Sequence, residues 1–165
     1  MENKLTTLVY LEHGEEYLML HRTKKEGDVN RDKWIGVGGK FEKGESPEDC
    51  MRREVLEETG LSVSEFRFRG IVTFISDRDP DEYMFLYTVS AWSGDLLESC
   101  DEGELAFIHR DSLYDLTLWE GDRIFLRLIR EERGFFSLKL RYAGDKLVEA
   151  VLDGDLLALD AGGKA

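Results

Sequence analysis

The sequence predicts an α+β fold in which strands outnumber helices. β-prone runs separated by polar turn clusters fill most of the 165 residues. One segment carries a complete set of helix start and stop signals, and a second helical stripe lies near the C-terminal end. With 42% hydrophobic and 35% charged residues, the composition is that of a globular chain with a wet surface, not of a disordered, collagen-like or coiled-coil one.

Leu5 to Glu12 and Tyr17 to Arg22 are β-prone and flank His13-Gly14-Glu15, so they read as a hairpin. Residues 23–33 are polar and predict an exposed loop, and Trp34 to Glu42 is a short strand bent by Gly36, Gly38 and Gly39. Ser46-Pro47 opens a helix. Serine is a good N-cap, proline suits the first helical position, and Glu48-Asp49 favour the positive end of the dipole. Gly60 stops that helix after Thr59.

Phe66 to Ile75 and Tyr83 to Trp92 are β-rich runs around the turn-forming 76–81, and Glu104 to His109 is a further short strand. Apolar residues at 124, 125, 128 and 129 give Gly121 to Arg133 a helical stripe. Phe135 to Arg141 and Lys146 to Val151 flank Ala143-Gly144-Asp145 as another hairpin. A sandwich of sheet and helices follows. One domain is expected over residues 1–155, with 156–165 as a short loose tail because Asp160 to Ala165 carries no packing signal.

Charge and cysteine content narrow the function. With 22 Lys+Arg against 35 Asp+Glu the net charge is −13, which argues against a protein of long nucleic acid. The deficit is uneven. Residues 21–43 hold seven basic and four acidic side chains, a net of +3. No apolar run reaches the roughly 18–20 residues of a membrane helix, and no leader is visible. The two cysteines, Cys50 and Cys100, form no disulfide framework, so a cytoplasmic location is expected. Cys50 reads as a packing residue and Cys100 as an unreactive thiol in an acidic loop. His13, His21 and His109 lack metal-ligand spacing.

The chemistry concentrates on the first helix. Glu54, Glu57 and Glu58 stand at i, i+3 and i+4, so their carboxylates project from one face, while Val55, Leu56 and Leu61 are expected to bury the other. Such a triplet can be no more than a solvated acidic face. Hard oxygen donors grouped on a rigid element are also what Mg²⁺ selects, usually together with substrate phosphates. Arg53 can pair with Glu57 at i+4 and orient it, and Glu45 can tie the helix to the preceding loop.

Gly39 to Leu61 resembles the Nudix hydrolase signature G-x5-E-x7-R-E-U-x-E-E-x-G-U, U being a bulky aliphatic residue, and meets it at every specified position. A chance match at one start position is on the order of 10⁻¹⁰. The resemblance implies an α/β/α sandwich around a mixed sheet and Mg²⁺-dependent hydrolysis (Mn²⁺ substituting) of a nucleoside diphosphate linked to another group. By position it makes Glu54, Glu57, Glu58 and the Gly38 carbonyl metal ligands, with Gly39, Glu45 and Gly60 as structural members of the motif. A further carboxylate from outside the motif is expected at Glu102, which otherwise is an exposed loop acid.

From Leu5 to about Asp153 the chain resembles the MutT-type branch, the 8-oxo-dGTP diphosphatases, notably at Trp34 to Lys40, Trp119 to Asp122 and Leu18 to Arg22. This similarity implies water attack at the β-phosphorus of a nucleoside triphosphate, giving the monophosphate and pyrophosphate. Glu54 or Glu102 takes the proton, and Arg22 and Lys40 meet the phosphates. Phe74 and Trp119 would stack on the base and Asp122 would read its edge. Each has a plainer alternative, core packing for the aromatics and a helix cap for Asp122. The chain departs from the human-type enzyme, having Ile35 in place of an asparagine and Gly121-Asp122 in place of an acidic pair. Other substrates open to the motif are ordinary dNTPs, nucleoside diphosphate sugars and RNA 5′ ends, and a non-catalytic nucleotide sensor is the remaining class. Oligomeric state is not legible.

Overall fold

A computed structural model describes residues 2–159. Among the described residues the elements are β1 (Lys4–His13), β2 (Glu16–Arg22), β3 (Trp34–Ile35), α1 (Pro47–Thr59), β4 (Ser62–Ser76), β5 (Glu82–Ser93), β6 (Ser99–Cys100), β7 (Gly103–His109), α2 (Glu120–Arg130), β8 (Phe136–Ala143), β9 (Lys146–Leu152) and β10 (Asp155–Leu156). The class is the expected α+β. Of the tail expected over 156–165, Leu156 pairs with Val151 in β10, and residues 160–165 lie outside the described residues. Contacts group the chain into two compact units. The first is Thr7–Arg67 with Tyr87–Leu118, and the second is Phe68–Leu86 with residues 2–6 and 119–159.

In the first unit β1 and β2 form the expected hairpin, with Glu12 opposite Tyr17 and His13 opposite Glu16. β2 pairs along its whole length with β7, which pairs in turn with β6, all antiparallel. Tyr10, Leu11, Leu18, Met19 and Leu20 are buried as unbroken runs, the pattern of strands covered on both faces.

Helix α1 forms where its local signals place it. Ser46 Oγ accepts from the Asp49 amide at 3.1 Å, and Asp49 Oδ2 accepts from the Ser46 amide at 3.0 Å, a reciprocal capping box. Gly60 closes the helix at φ 78°, its N–H donating to the Leu56 carbonyl at 2.9 Å. An alanine there would be held in left-handed geometry with its Cβ 2.9 Å from the Asp95 carbonyl. Gly60→Ala is therefore expected to cost about 1 kcal/mol or more, read as a lower denaturant midpoint at unchanged m.

One burial expectation is corrected. Val55 and Leu61 are buried, but Leu56 is 51% exposed. The inward stripe runs through Met51, Val55 and Thr59, and Leu56 lies about 100° round the helix from it, above Arg52.

In the second unit, residues 70–76 of β4 run parallel to β8, while β8 pairs antiparallel with β9 and β9 with β10, so strands pair in both senses. Phe136, Leu138, Leu140 and Tyr142 of β8 point inward in strict alternation. Helix α2 buries Ile124, Phe125, Leu128 and Ile129, the stripe expected from spacing. It ends at Arg130, three residues short of the expected Arg133, because the chain turns left-handed at Glu132, with φ 56°. It begins at Glu120, and its N-cap is Trp119, with no side-chain cap bond. Asp122 therefore lies inside the first turn and is not the cap.

Candidate active site

The loop before α1 is laid along β1. The Thr7 amide donates to the Gly39 carbonyl at 2.9 Å, and Val9 and Val37 exchange backbone hydrogen bonds at 2.7 and 3.0 Å. Gly38 has φ 141°, and any Cβ there would run into the Thr7 carbonyl. At Gly39 a Cβ would lie 2.5 to 2.7 Å from the carboxylate atoms of Glu54. The second glycine is thus the space that Glu54 fills. The Gly38 amide also faces Glu58, 3.4 Å from Oε2, so the loop and two of the three helix carboxylates interlock.

Arg53 fixes this arrangement from the side. Its Nε and Nη2 donate to the two oxygens of Glu45 at 2.7 and 2.9 Å. Nη1 donates to Glu54 at 2.8 Å and to Glu57 at 3.2 Å, and Nη2 reaches the Lys40 carbonyl at 2.9 Å. Glu45 Oε1 in addition accepts the Glu42 amide at 2.7 Å. The bond from Arg53, helped by that amide, holds the Glu45 carboxyl below the usual carboxylate range, and the hydrogen bond to Glu45 pushes the Arg53 guanidinium up despite partial burial. Arg53 acts by aiming carboxylates. The Lys40 side chain is exposed, and its carbonyl is the part that joins the network.

Glu54, Glu57 and Glu58 line a cleft of about 430 Å³ whose other wall includes Leu97, Cys100 and Glu102. The sequence-predicted Glu102 is thereby brought to the helix carboxylates. Arg22 pairs with that wall through Glu102, with Nη1 at 3.0 Å, and its Nε lies 2.8 Å from Asp28. Asp28, not anticipated from sequence, is nearly buried and also accepts the Asn30 amide at 3.0 Å through its other oxygen. That i to i+2 bond is an Asx turn, and Asp-Val-Asn in a polar loop was its available signal.

Burial first, then the charges on Glu102 and Glu54, push the Glu58 carboxyl up to about 9. Glu54, Glu57, Glu58 and Glu102 share two arginines, Arg22 and Arg53, which also pair with Asp28 and Glu45, so the cluster has more acidic than basic side chains. Among the described residues no three His, Cys, Asp or Glu side chains converge tightly enough to hold an ion as they stand. Glu57 is turned to Arg53 and Glu102 to Arg22. The donors are nevertheless all hard carboxylate oxygens with an uncompensated charge, and they fit Mg²⁺.

The three expected base-binding residues belong to the other unit. Phe74 meets Trp119 edge-on, with centroids 5.6 Å apart. Trp119 and Asp122 are buried, Phe74 partly so. Tyr142 completes the group and was not anticipated, because it reaches the others from a strand some twenty residues further along the chain. The histidines are bland as expected: His21 stacks on Trp34 at 4.4 Å, and His13 and His109 sit at strand ends. Cys50 is buried against the Gly39 carbonyl, 3.5 Å away, and the Thr7 hydroxyl, 3.6 Å away, and burial pushes its thiol up.

The sequence pattern that defines the NUDIX domain matches residues 3–129. The chain belongs to the Nudix family. Members of this family hydrolyse pyrophosphate bonds in nucleotide substrates and generally use divalent ions such as Mg²⁺. The Nudix chain is 32% identical over 135 residues to the oxidized purine nucleoside triphosphate hydrolase of Mus musculus, covering 81% of this chain and 83% of the relative. It is 29% identical to the protein of the same name from Danio rerio over 92% of this chain and 95% of that one. Its Nudix fold matches the crystal structure of the MutT mutator protein from Bacillus halodurans with a TM-score of 0.82 at 24% identity, over 92% and 99% of the two chains. No helix among the described residues is long and apolar enough to cross a membrane.

Proposed function

We propose that this Nudix hydrolase is a Mg²⁺-dependent nucleoside triphosphate pyrophosphohydrolase that converts oxidised purine deoxynucleotides, 8-oxo-dGTP foremost, to the monophosphate and pyrophosphate. Its place would be the cytoplasmic nucleotide pool, where Cys50 and Cys100 remain free thiols. The observation that carries the reading is the four-carboxylate cleft, with Glu54 wedged on Gly39 and aimed by Arg53. The substrate is supported by near full-length likeness to proteins named for oxidised purine nucleoside triphosphates.

In this reading Glu54, Glu57, Glu58 and Glu102, with the Gly38 carbonyl, hold the metal. Bound there, Mg²⁺ supplies Lewis acidity, neutralising phosphate oxygens and lowering the pKa of the attacking water. Glu54 or Glu102 accepts the water proton as the β-phosphorus is attacked. Arg22 and Lys40 meet the charge that builds on the leaving pyrophosphate. Asp28 keeps the Arg22 guanidinium in place through Nε, so Nη1 can pass from Glu102 to a phosphate without loss of its anchor. Phe74 and Trp119 stack on the base, and Asp122 accepts hydrogen bonds from its edge.

A panel of 8-oxo-dGTP, dGTP, dTTP, ADP-ribose and 5′-triphosphorylated RNA, assayed for pyrophosphate release in Mg²⁺, tests this directly. The highest kcat/KM is expected for 8-oxo-dGTP, and a preference for ADP-ribose or RNA would reassign the substrate. Because the cluster carries excess negative charge, triphosphate binding as well as turnover is expected to collapse in EDTA. Tight binding of 8-oxo-dGTP without a divalent ion would remove the metal from the binding step.

A further inference from the structure

Helix α2 starts without a capping side chain of its own. Its N-cap is Trp119, whose carbonyl accepts the Asp122 amide at 3.1 Å but whose side chain offers no acceptor to the other first-turn amides, and such amides need one when they are buried. The Gly121 amide finds its acceptor on another element, donating to the Tyr142 hydroxyl of β8 at 2.7 Å. Tyr142 is almost wholly buried, and a bulge between Arg141 and Tyr142 marks the point where β8 delivers it. Gly121 and Tyr142 are a matched pair. A Cβ at 121 would lie 2.7 Å from the hydroxyl oxygen and would press on the tip of Leu140 as well.

The ring is as engaged as the hydroxyl. It stacks on Phe74 with centroids 4.8 Å apart and meets Trp119 edge-on at 5.1 Å. One side chain therefore touches both proposed stacking residues and bonds the amide immediately before Asp122. We propose that Tyr142 is a positioning residue for base recognition: it caps α2 from outside and thereby fixes Trp119 and Asp122 in the geometry that reads a purine. This rests on the purine triphosphate reading given above. Burial, together with the charges of Asp122 and Glu120, pushes the phenol up, so the hydroxyl meets the amide in its neutral form.

Tyr142→Phe removes the oxygen and keeps the ring, and Gly121→Ala displaces the hydroxyl from the opposite side. Each is expected to raise KM for 8-oxo-dGTP about fivefold to tenfold with kcat unchanged within about twofold. The purine-over-pyrimidine ratio of kcat/KM, taken against dTTP, should fall by the same factor. Quenching of tryptophan fluorescence by 8-oxo-dGMP gives a second readout that needs no turnover, and it should weaken in parallel. In the double variant the losses should be less than additive, since the oxygen that the methyl displaces is already gone. A wild type without purine preference overturns the substrate reading and this role with it. A wild type with that preference, retained in Tyr142→Phe and Gly121→Ala while only Tm falls, overturns the role of Tyr142 alone.

Discussion

Glu57→Gln and Glu58→Gln are expected to lower turnover by about two orders of magnitude or more while the protein stays folded, because each keeps its shape and loses the charge that a metal needs. The two variants should part company in stability. Glu57 is more than half exposed, so its amide should leave the melting temperature nearly unchanged without metal. Glu58 is buried beside Glu54 and Glu102, and its carboxyl is pushed up by that burial and by their charges. A neutral glutamine relieves both, so Glu58→Gln should melt at or above the wild type in EDTA. In Mg²⁺ the order should reverse, since the wild type gains more from the ion than either variant. Thermal melts with and without Mg²⁺, run beside the turnover assay, separate these effects. Near-normal Mg²⁺-dependent hydrolysis by either variant would remove that glutamate from the site.

Arg53→Ala should be nearly as damaging and for a different reason. Arg53 donates to Glu45, Glu54, Glu57 and the Lys40 carbonyl. Its loss leaves partly buried carboxylates crowded without a counter-charge, at a cost of about 2–4 kcal/mol, and lets Glu54 and Glu57 drift from their aim. Both the melting temperature and kcat should fall. Arg53→Lys should recover part of the stability and little of the turnover, because an ammonium cannot bind Glu45 bidentately while still reaching Glu54. Pairing each substitution with Glu45→Gln supplies the check. If Arg53 works through Glu45, the combined loss is smaller than the sum, and strict additivity would show that the two act separately.

What was legible in the sequence was what is local in the structure. Ser46 and Pro47 open α1 and Gly60 closes it, each beside the end it sets, and the hairpins carry their own turn residues. The carboxylate triplet was visible because helical spacing alone groups 54, 57 and 58. Glu102 came only through family resemblance, and its pairing with Arg22, like that of Arg22 with Asp28, needed the tertiary structure. The start of α2 shows the limit most plainly. No side chain near Trp119 supplies a cap, because the acceptor for the Gly121 amide comes from Tyr142 on a strand, so local signals set the boundary at Gly121 instead of Glu120. Leu56 departs for a simpler reason: hydrophobic character alone does not bury a side chain, and the helical period turns this one outward.

The setting of Cys50 bears on endurance. Oxidants attack thiolates, and this thiol is kept protonated by burial beneath the Gly39 loop, with its helix neighbour Met51 equally enclosed. Both sulfurs of the helix that carries the carboxylates are thus shielded from peroxide. A protein whose proposed task is to clear nucleotides already damaged by oxidation would go on working in the conditions that create its substrate. In a Cys100→Ser variant, which removes the half-buried thiol of the cleft wall, turnover after exposure to hydrogen peroxide is expected to remain close to that of the untreated variant.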